Sequence, residues 1–516
     1  MSSLKKRYAA KLSTNLVGMI IGVLTQSIIP RGLGPTAYGD FSFLSNFFSQ
    51  VLPLFTLGTD TAFYTKLCQR QDEFELLSFY ARVIAMSIAG IFTFVAISEF
   101  TGASHTLWIH QTIFFVCFAA GWGVLNMLIN MLTMIGDAYC LTVSIEISRI
   151  IIRSIGLCAI VFIFFTNHLT LTSFFGYECG IRIVIVIGFL FVINRDRRLF
   201  YQHWKLSRHQ MKNYLSEFYK YTHPLFVYTV IGMVLGILDR WMLQKFGGSV
   251  QQGFFGLSFQ IATVCFLFTS AMTSLITREF SIAYGKNDMA SVASLFRRYL
   301  PLFFSVAAFF ACFASVQADI ITRIFGGRQF AGAFLPVMIM ALYPIHQTYG
   351  QLVGAIFFAS GETKLYRNIL IFFNSLGLPF SYVILAHSEW FGFRQAATGL
   401  AIKFVILQFL SVNSLLFFST RLLKLSFIKY LGHQVVCMGC LGAAALFSEA
   451  IILQIVTLKG NVIFHFVASG LLYTGFVMTL AYLWPVIFGL SRGDIASFID
   501  GSLPYLSSLK RFGGAA

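Results

Sequence analysis

The sequence is short of charge. Only 11% of its residues are Asp, Glu, Lys or Arg, where water-soluble globular chains carry about 25%. With a mean hydropathy of +0.77, that deficit excludes a chain that folds in water. Acids are scarcer still, with 20 Asp and Glu against 37 Lys and Arg. The alternation of polar and apolar residues that barrel strands require is missing, which excludes a β-barrel. A phosphate-cradling glycine loop, a cluster of metal ligands and a catalytic triad are also missing, which removes ATP hydrolysis within the chain. Of nine cysteines, eight fall in or beside apolar runs and only Cys68 lies in a loop, so no extracellular disulfide framework is expected. Cys437-Met-Gly-Cys440 has redox spacing, but it lies among Gly and Ala in an apolar helix, where small residues pack helices closely. The segment after MSSLKKRYAAKL ends in PRGLGP without a small-residue cleavage site, and reads as a retained first span rather than a signal peptide.

What the chain has is apolar runs of about 20 residues from end to end, each long enough to cross roughly 30 Å of hydrocarbon as a helix. Spans are expected at 12–29, 40–62, 76–98, 107–134, 139–166, 169–193, 223–244, 253–277, 299–317, 331–359, 366–386, 391–419, 431–457 and 461–489. The fold class is therefore an all-α polytopic membrane protein with about 14 transmembrane helices. Basic residues in short loops stay on the cytoplasmic side. With both termini inside, 26 of the 37 Lys and Arg are cytoplasmic, six lie in outer loops and five within spans. The formal charge of +17 is thus mostly an orientation signal with attraction to anionic headgroups, not a nucleic-acid footprint.

The chain also repeats itself. GMIIG at 18–22 returns as GMVLG at 232–236, an offset of 214; Tyr38-Gly39 pairs with Phe255-Gly256 at 217, and Gly136 with Gly361 at 225. Such an echo marks two fused copies. Residues 1–193 then form an N-terminal lobe (spans one to six), 194–222 a basic cytoplasmic linker, 223–420 a C-terminal lobe (spans seven to twelve), and 421–516 spans thirteen and fourteen with a cytoplasmic tail. Six crossings is an even number, so both lobes keep one orientation and are expected to be pseudo-symmetric, the parallel-repeat plan of transporters with a site between halves. The linker carries seven Lys and Arg with Trp204, Tyr214, Phe218 and Tyr219 interleaved. That pattern suits a helix on the cytoplasmic headgroups or a tether with a solvated charged face. Spans thirteen and fourteen have no repeat partner, so their removal is expected to leave the two lobes folded. Gly18-x-x-x-Gly22 and Gly232-x-x-x-Gly236 predict close helix approach.

Ionisable groups inside a bilayer cost a few kcal/mol each, so they face a cavity or one another. In the fifth span Glu146, Arg149 and Arg153 fall at i, i+3 and i+7 on one helical face, with Thr142 extending it by a turn. Two arginines share one carboxylate there, which leaves a positive charge for a ligand, and the guanidinium fork suits a phosphate. Glu178 and Arg182, at i and i+4 of the sixth span, read as an internally paired tie or as part of the same site. Asp239-Arg240 stands where the first copy has Thr25-Gln26, Lys403 is isolated in AIKFVILQF, and Arg31 sits where the first span meets the outer surface. Lys403 and Arg31 either line a cavity or snorkel to headgroups. The candidate substrate-binding cations are therefore Arg149, Arg153, Arg182, Arg240, Arg31 and Lys403. Glu146, Glu178, Asp239 and Asp60, together with Glu449, are candidates for a coupling proton or sodium ion; no catalytic residue, metal or other cofactor is expected. Trp122, Tyr139, Tyr228 and Tyr349 are candidates for stacking on sugar rings or for ordinary packing.

The stretch Arg31-Gly-Leu-Gly-Pro-Thr-Ala-Tyr-Gly39, directly after the first span, resembles the R-x-LGP-x-x-YG signature of polysaccharide transporters. These belong to the multidrug/oligosaccharidyl-lipid/polysaccharide exporter superfamily. The Gly136-Asp137 turn and the Gly-Lys-Asn-Asp of 285–288 are similar to that family's cytoplasmic turns, and the 6+6+2 plan of spans extends the resemblance over the whole chain. The resemblance implies a flippase that turns an undecaprenyl-pyrophosphate-linked oligosaccharide, for O-antigen or another surface polysaccharide, across a bacterial inner membrane by alternating access. It implies a cationic cavity for the sugar-pyrophosphate head and a groove for the lipid tail in the last two helices. Membrane lipids, and a polysaccharide polymerase with chain-length proteins, are the implied partners. A lipid II flippase fits the same electrostatics. An ion-coupled exporter of cationic drugs wants an acidic cavity, which the embedded Arg and Lys oppose. A membrane polymerase or ligase needs outer loops with acids or bases, and the outer loops here are short and carry few acids.

Overall fold

The computed structural model describes residues 4–493 apart from 57–58, 71–72, 167, 198–205, 455–460 and 491. Trp204, the loop around Lys459, the tail from 494 onward and the side chain of Tyr228 lie outside the described residues. Among the described residues all regular structure is helical, as apolar segments in lipid require, because a helix satisfies its own backbone polar groups. α1 (Leu4–Phe55) is followed by α2 (Thr59–Gln69), α3 (Phe74–Phe100), the one-turn α4 (Ser104–Leu107), α5 (Ile113–Ala138), α6 (Thr142–Phe165) and α7 (Leu171–Arg197). α8 (Arg208–Gly285) leads to α9 (Met289–Val316), α10 (Ala318–Gly326), α11 (Phe334–Met340) and α12 (Tyr343–Ser360). The chain ends in α13 (Thr363–Leu385), α14 (Ala396–Leu422), α15 (Phe427–Gln454) and α16 (Val462–Leu483). Among the described residues ten helical stretches are long and apolar enough to cross a membrane, so this is a multi-pass membrane protein. α1 and α8 each break in two, at Gly34 and Gly248. Their halves supply the segments expected at 12–29, 40–62, 223–244 and 253–277, the second ending early at Phe55.

The two breaks are alike. Gly34 has φ 72° and ψ 170°, and Gly248 has φ 74° and ψ −177°, a region essentially reserved for glycine. Pro35 further disfavours helical torsions at Gly34. The breaks lie 214 residues apart, the offset of Gly18 and Gly232, and beyond them the two helices cross at backbone distance. A Cβ on Gly39 would sit 1.8 Å from the Ser249 carbonyl oxygen, and one on Gly253 2.1 Å from that of Pro35. Both residue pairs keep the offset of 214, so the contact is reciprocal in the manner of a two-fold interface. This corrects the pairing of Tyr38-Gly39 with Phe255-Gly256 at 217: no residue is inserted before the crossing, and Gly39 is matched by Gly253. Of the GxxxG glycines only Gly236 is a point of close helix approach: its carbonyl accepts from Asn46 of α1 at 3.4 Å, and a Cβ there would meet Gln50 at 2.8 Å. Gly22 and Gly232 face open space, while Gly18 faces Arg153 and Gly236 faces Gln50.

Packing groups the chain into two compact units, Met1–Gly256 with Phe325–Phe330 and Gly377–Leu400, and Leu257–Ile324 with Ala331–Leu376 and Ala401–Ala516. In the first, Phe43, Phe47 and Phe48 of α1 pack with Val95 of α3, Trp108, and Ala119 and Ala120 of α5. A second cluster of this unit takes Phe63, Tyr80, Ile135, Ile145 and Phe189, and also Phe218 from the linker. Phe218 is 3% exposed, with its ring 5.0 Å from that of Phe79; Tyr214 donates to Glu73 at 3.2 Å. Glu217 meets Lys66 at 2.6 Å and Arg70 at 2.8 Å, and the Lys66 hydrogen bond, aided by Arg70, holds its carboxyl below the usual range. The described part of the linker docks on α2 and α3 through Phe218, Tyr214 and Glu217, a contact the sequence reading did not include, while Arg208, Lys212 and Tyr219 stay exposed, as a solvated charged face requires. In the second unit, Phe304 and Ala308 of α9, Leu352 and Val353 of α12, Cys437 and Leu441 of α15 and Tyr473 of α16 share one core. The Tyr473 hydroxyl donates to the Phe309 carbonyl at 3.0 Å. The last two helices are thus part of that core, not a separable addition, because their buried small residues Ala444 and Ala445 let neighbouring helices close in.

Candidate functional site

The face of α6 read from the sequence is present, with a division of roles along it. Glu146 is 2% exposed, and its Oε1 accepts from Arg149 Nη1 at 3.0 Å. Arg149 also donates from Nη2 to Thr133 Oγ1 of α5 at 2.9 Å, and lies 5.3 Å from the centre of the Phe189 ring of α7. These contacts fix the guanidinium in a half-buried position. Arg153, two turns beyond Glu146, has no hydrogen-bond or ion-pair partner among the described residues, and its Nη1 approaches Gly18 of α1. Thr142 does not extend the cationic stripe; its hydroxyl donates to Asp137 at 2.7 Å and ties the start of α6 to the end of α5.

α7 supplies the second pair. Arg182 bridges to Glu178, donates from Nε to Asn126 Oδ1 at 3.0 Å, and lies 4.9 Å from the centre of the Trp122 ring. Trp122 Nε1 donates to Glu178 at 3.0 Å, so the indole holds the pair in place as well as presenting a face. Glu178 and Arg182 pair internally, and they line the same space as Arg149 and Arg153. That space is a cavity of ≈ 520 Å³ between α1, α5, α6 and α7. Its wall carries three guanidiniums and the Glu178 carboxylate, with Thr25, Gln26, Asn126, Asn130, Thr133 and Tyr177 as neutral polar groups. With Glu146 counted behind Arg149, one positive charge is left over, and it sits on Arg153.

The other candidates lie apart from this cavity. Arg240 is buried, donates to Gln252 Oε1 at 3.2 Å and lies 4.4 Å from the centre of the Phe255 ring; Asp239 accepts from Ser381 at 2.6 Å. Arg31 is exposed beside the break at Gly34. Lys403 is buried in the second unit with its ammonium 4.9 Å from the Phe404 ring centre. Asp60 accepts from the Tyr80 hydroxyl in α3. Glu449 accepts from Gln317 at 2.5 Å and meets His465 at 3.0 Å within the second unit. Tyr139 and Tyr349 are buried in cores. The residues that sequence reasoning missed are those of α5: Asn126, Asn130 and Thr133, polar at i, i+4 and i+7 of an otherwise apolar helix, a spacing that puts them on one face. Applied to neutral polar residues, the rule used for α6 finds them.

Neither a protein-family model nor a curated relative matches the chain. Solved structures do. The lipid II flippase MurJ, in an inward closed conformation, aligns over 92% of this chain and 98% of its own, with a TM-score of 0.64 and 13% identity. A multidrug resistance MATE family transporter of the MOP superfamily aligns over 81% of this chain and 98% of its own in an inward-facing conformation, with a TM-score of 0.55 and 13% identity. Its outward-facing counterpart covers 82% of this chain and 96% of its own at 0.51 and 14%. At such identities the similarity speaks to the fold alone: this chain has the fold of MOP superfamily transporters.

Proposed function

We propose that this protein is a flippase for a lipid-linked oligosaccharide, binding the pyrophosphate of an undecaprenyl carrier in the cavity between α1, α5, α6 and α7. The observation that carries this reading is Arg153, a guanidinium in a polar cavity with no partner among the described residues, next to two arginines held in place by carboxylates and ring faces. A diphosphate supplies the anionic acceptors that such a group needs, and Arg remains charged at any relevant pH. A cationic drug would meet net positive charge there. The fold shared with MurJ supports a lipid-linked substrate of this chemistry, and lipid II, as another lipid diphosphate, is the second reading. The site of action in this proposal is a bacterial inner membrane with both termini cytoplasmic, and polysaccharide polymerase and chain-length proteins are the expected partners.

The test is flipping by purified protein in proteoliposomes, with fluorescent undecaprenyl-pyrophosphate oligosaccharide and lipid II compared side by side. Arg153→Ala removes a charge-assisted contact of about 1.5–3 kcal/mol and should weaken binding roughly ten- to a hundredfold; Arg153→Lys keeps the charge without the fork and should fall between. Normal flipping of both lipids by Arg149→Ala and Arg153→Ala, at normal protein levels, removes the cavity from the mechanism.

A further inference from the structure

Between α13 and α14 the chain turns through residues 386–395, and three large apolar side chains stand out from it. Trp390 is 54% exposed, Phe391 93% and Phe393 69%. An exposed phenylalanine within a span faces lipid as a matter of course, but these three lie beyond the ends of both helices. The backbone that presents them is strained. Seven non-glycine residues among those described have positive φ, and three of them, Phe391 at 58°, Arg394 at 52° and Ala396 at 44°, fall within six positions. L-residues avoid that region and hold it only where their surroundings impose it. We infer that this loop is an interfacial anchor: Trp390, Phe391 and Phe393 insert into the boundary between headgroups and acyl chains at the membrane face opposite the basic ends of α13 and α14.

Depth decides the occupant. α13 has 23 residues and α14 has 27, about 34 and 40 Å of helix against roughly 30 Å of hydrocarbon. Lys364 and Arg367 lie near the start of α13 and Arg421 at the end of α14, so the loop between them meets the other face. The loop does not rise into the water from there, because it folds back on the last turn of α13. The amide of Phe393 donates to the Val383 carbonyl at 2.8 Å, that of Arg394 to Ala386 at 3.0 Å and that of Gln395 to Ile384 at 2.9 Å. Gly392 is pressed so closely to this turn that a Cβ on it would lie 2.0 Å from the Ala386 carbonyl oxygen. Phe393 is thereby held at the level of Val383, itself exposed next to Tyr382, and the apolar surface of the span runs on into the loop without a gap. Water would hydrate three large apolar side chains at a cost, whereas the boundary region suits aromatic rings, and the indole N–H of Trp390 can meet headgroup oxygens there. The loop carries one acid, Glu389, and one arginine, Arg394, so apolar insertion, not attraction to anionic lipid, supplies the binding.

The anchor is rooted on both sides of the break in α8. Before Gly248, Asp239 accepts from Ser381 at 2.6 Å, and the Phe246 ring lies 6.2 Å from that of Tyr382 and 5.9 Å from that of His387. After it, Gln251 Oε1 accepts from the Ala397 amide at 3.3 Å. Lipid that holds the loop therefore holds the α8 break at a fixed depth. The test is spin labelling of the full-length, cysteine-free protein in phosphatidylcholine vesicles, which offer no net charge. Nitroxides are placed at Phe391→Cys, at Phe372→Cys within α13 and at Thr101→Cys in an exposed loop, and collisions with oxygen and with a water-soluble nickel chelate report depth. The label at 391 should resemble that at 372, with high oxygen and low nickel collision rates. The nitroxide is itself apolar, so a second label at Ser388→Cys is compared with and without Phe391→Ser and Phe393→Ser; loss of the two rings should raise its nickel collision rate several-fold. A label at 391 that nickel reaches as readily as at 101 puts the loop in water and overturns the inference. Shielding from both reagents shows a protein surface over the loop, a second copy or a partner, and overturns it too, as does a label at 388 that the two serines leave unmoved.

Discussion

Replacing Gly39 by Ala places a methyl carbon 1.8 Å from the Ser249 carbonyl oxygen and 2.8 Å from the Gly253 nitrogen. Neither is a side chain that can rotate away; both are backbone. The two helices must separate by roughly 1 Å or more, and overpacking of this kind costs about 1–3 kcal/mol. A cost of that size shifts an equilibrium between two conformations by about 5- to 150-fold. Gly39→Ala should therefore either lower the melting temperature of the purified protein or displace it from the conformation in which this crossing is closed. Gly22→Ala is the internal control: it lies in the same helix, its added methyl meets open space, and Ala is the better helix former by about 1 kcal/mol. Thermal stability is read by fluorescence size-exclusion after heating. The crossing is read by disulfide trapping of Pro35→Cys with Ser249→Cys on a cysteine-free background. Unchanged melting and unchanged trapping in Gly39→Ala refute the claim that backbone contact holds the crossing.

The remaining expectations can be checked separately. Thr101→Cys, exposed in the loop assigned to the outside, should react with an impermeant maleimide in intact cells, and Lys364→Cys should react only after permeabilisation; the reverse pattern inverts the topology. Deleting 430–489 should unfold the second unit, since Cys437, Leu441 and Tyr473 sit in its core, and a truncated protein that still elutes as a monodisperse peak contradicts this. Glu217→Gln should weaken linker docking by about 0.2–1 kcal/mol, the range of exposed ion pairs, and speed hydrogen exchange across 208–219. Because the Glu217 carboxyl is held below its usual range, its contribution is present above the unfolded pKa and lost as pH falls through the folded one. The wild-type linker should therefore loosen in acid, and Glu217→Gln should lack that step.

Span positions were legible because apolar runs and helical periodicity are local properties of the sequence, as was the pairing of Glu146 with Arg149 and of Glu178 with Arg182, which needs only i, i+3 or i, i+4 spacing. Which helices share a cavity is not local. Arg240 and Lys403 have the same composition signal as Arg153, an arginine or lysine in an apolar run, yet one is tied to Gln252 and the other is buried over Phe404. The linker's docking was not legible because its aromatics suit lipid and protein equally; Phe79 and Tyr80, which receive Phe218, lie more than a hundred residues earlier. The glycines misled in a similar way. GxxxG spacing marks a smooth helix face, but Gly18 and Gly22 use that smoothness to line the cavity, and the true backbone contact falls at Gly39 and Gly253, where no GxxxG spacing exists.

Every described residue that lines the cavity falls between Gly18 and Ile185, within a single copy of the duplicated sequence. The second copy holds Asp239 and Arg240 where the first has Thr25 and Gln26, and these are locked to Ser381 and Gln252. The two copies have therefore diverged in chemistry: these positions line a cavity in the first, and in the second they are bonded within the fold. If the cavity binds the cargo as proposed, a chimera that exchanges only residues 18–185 between homologues should carry cargo preference with it in the flipping assay, and a chimera that keeps the recipient's preference places selectivity elsewhere.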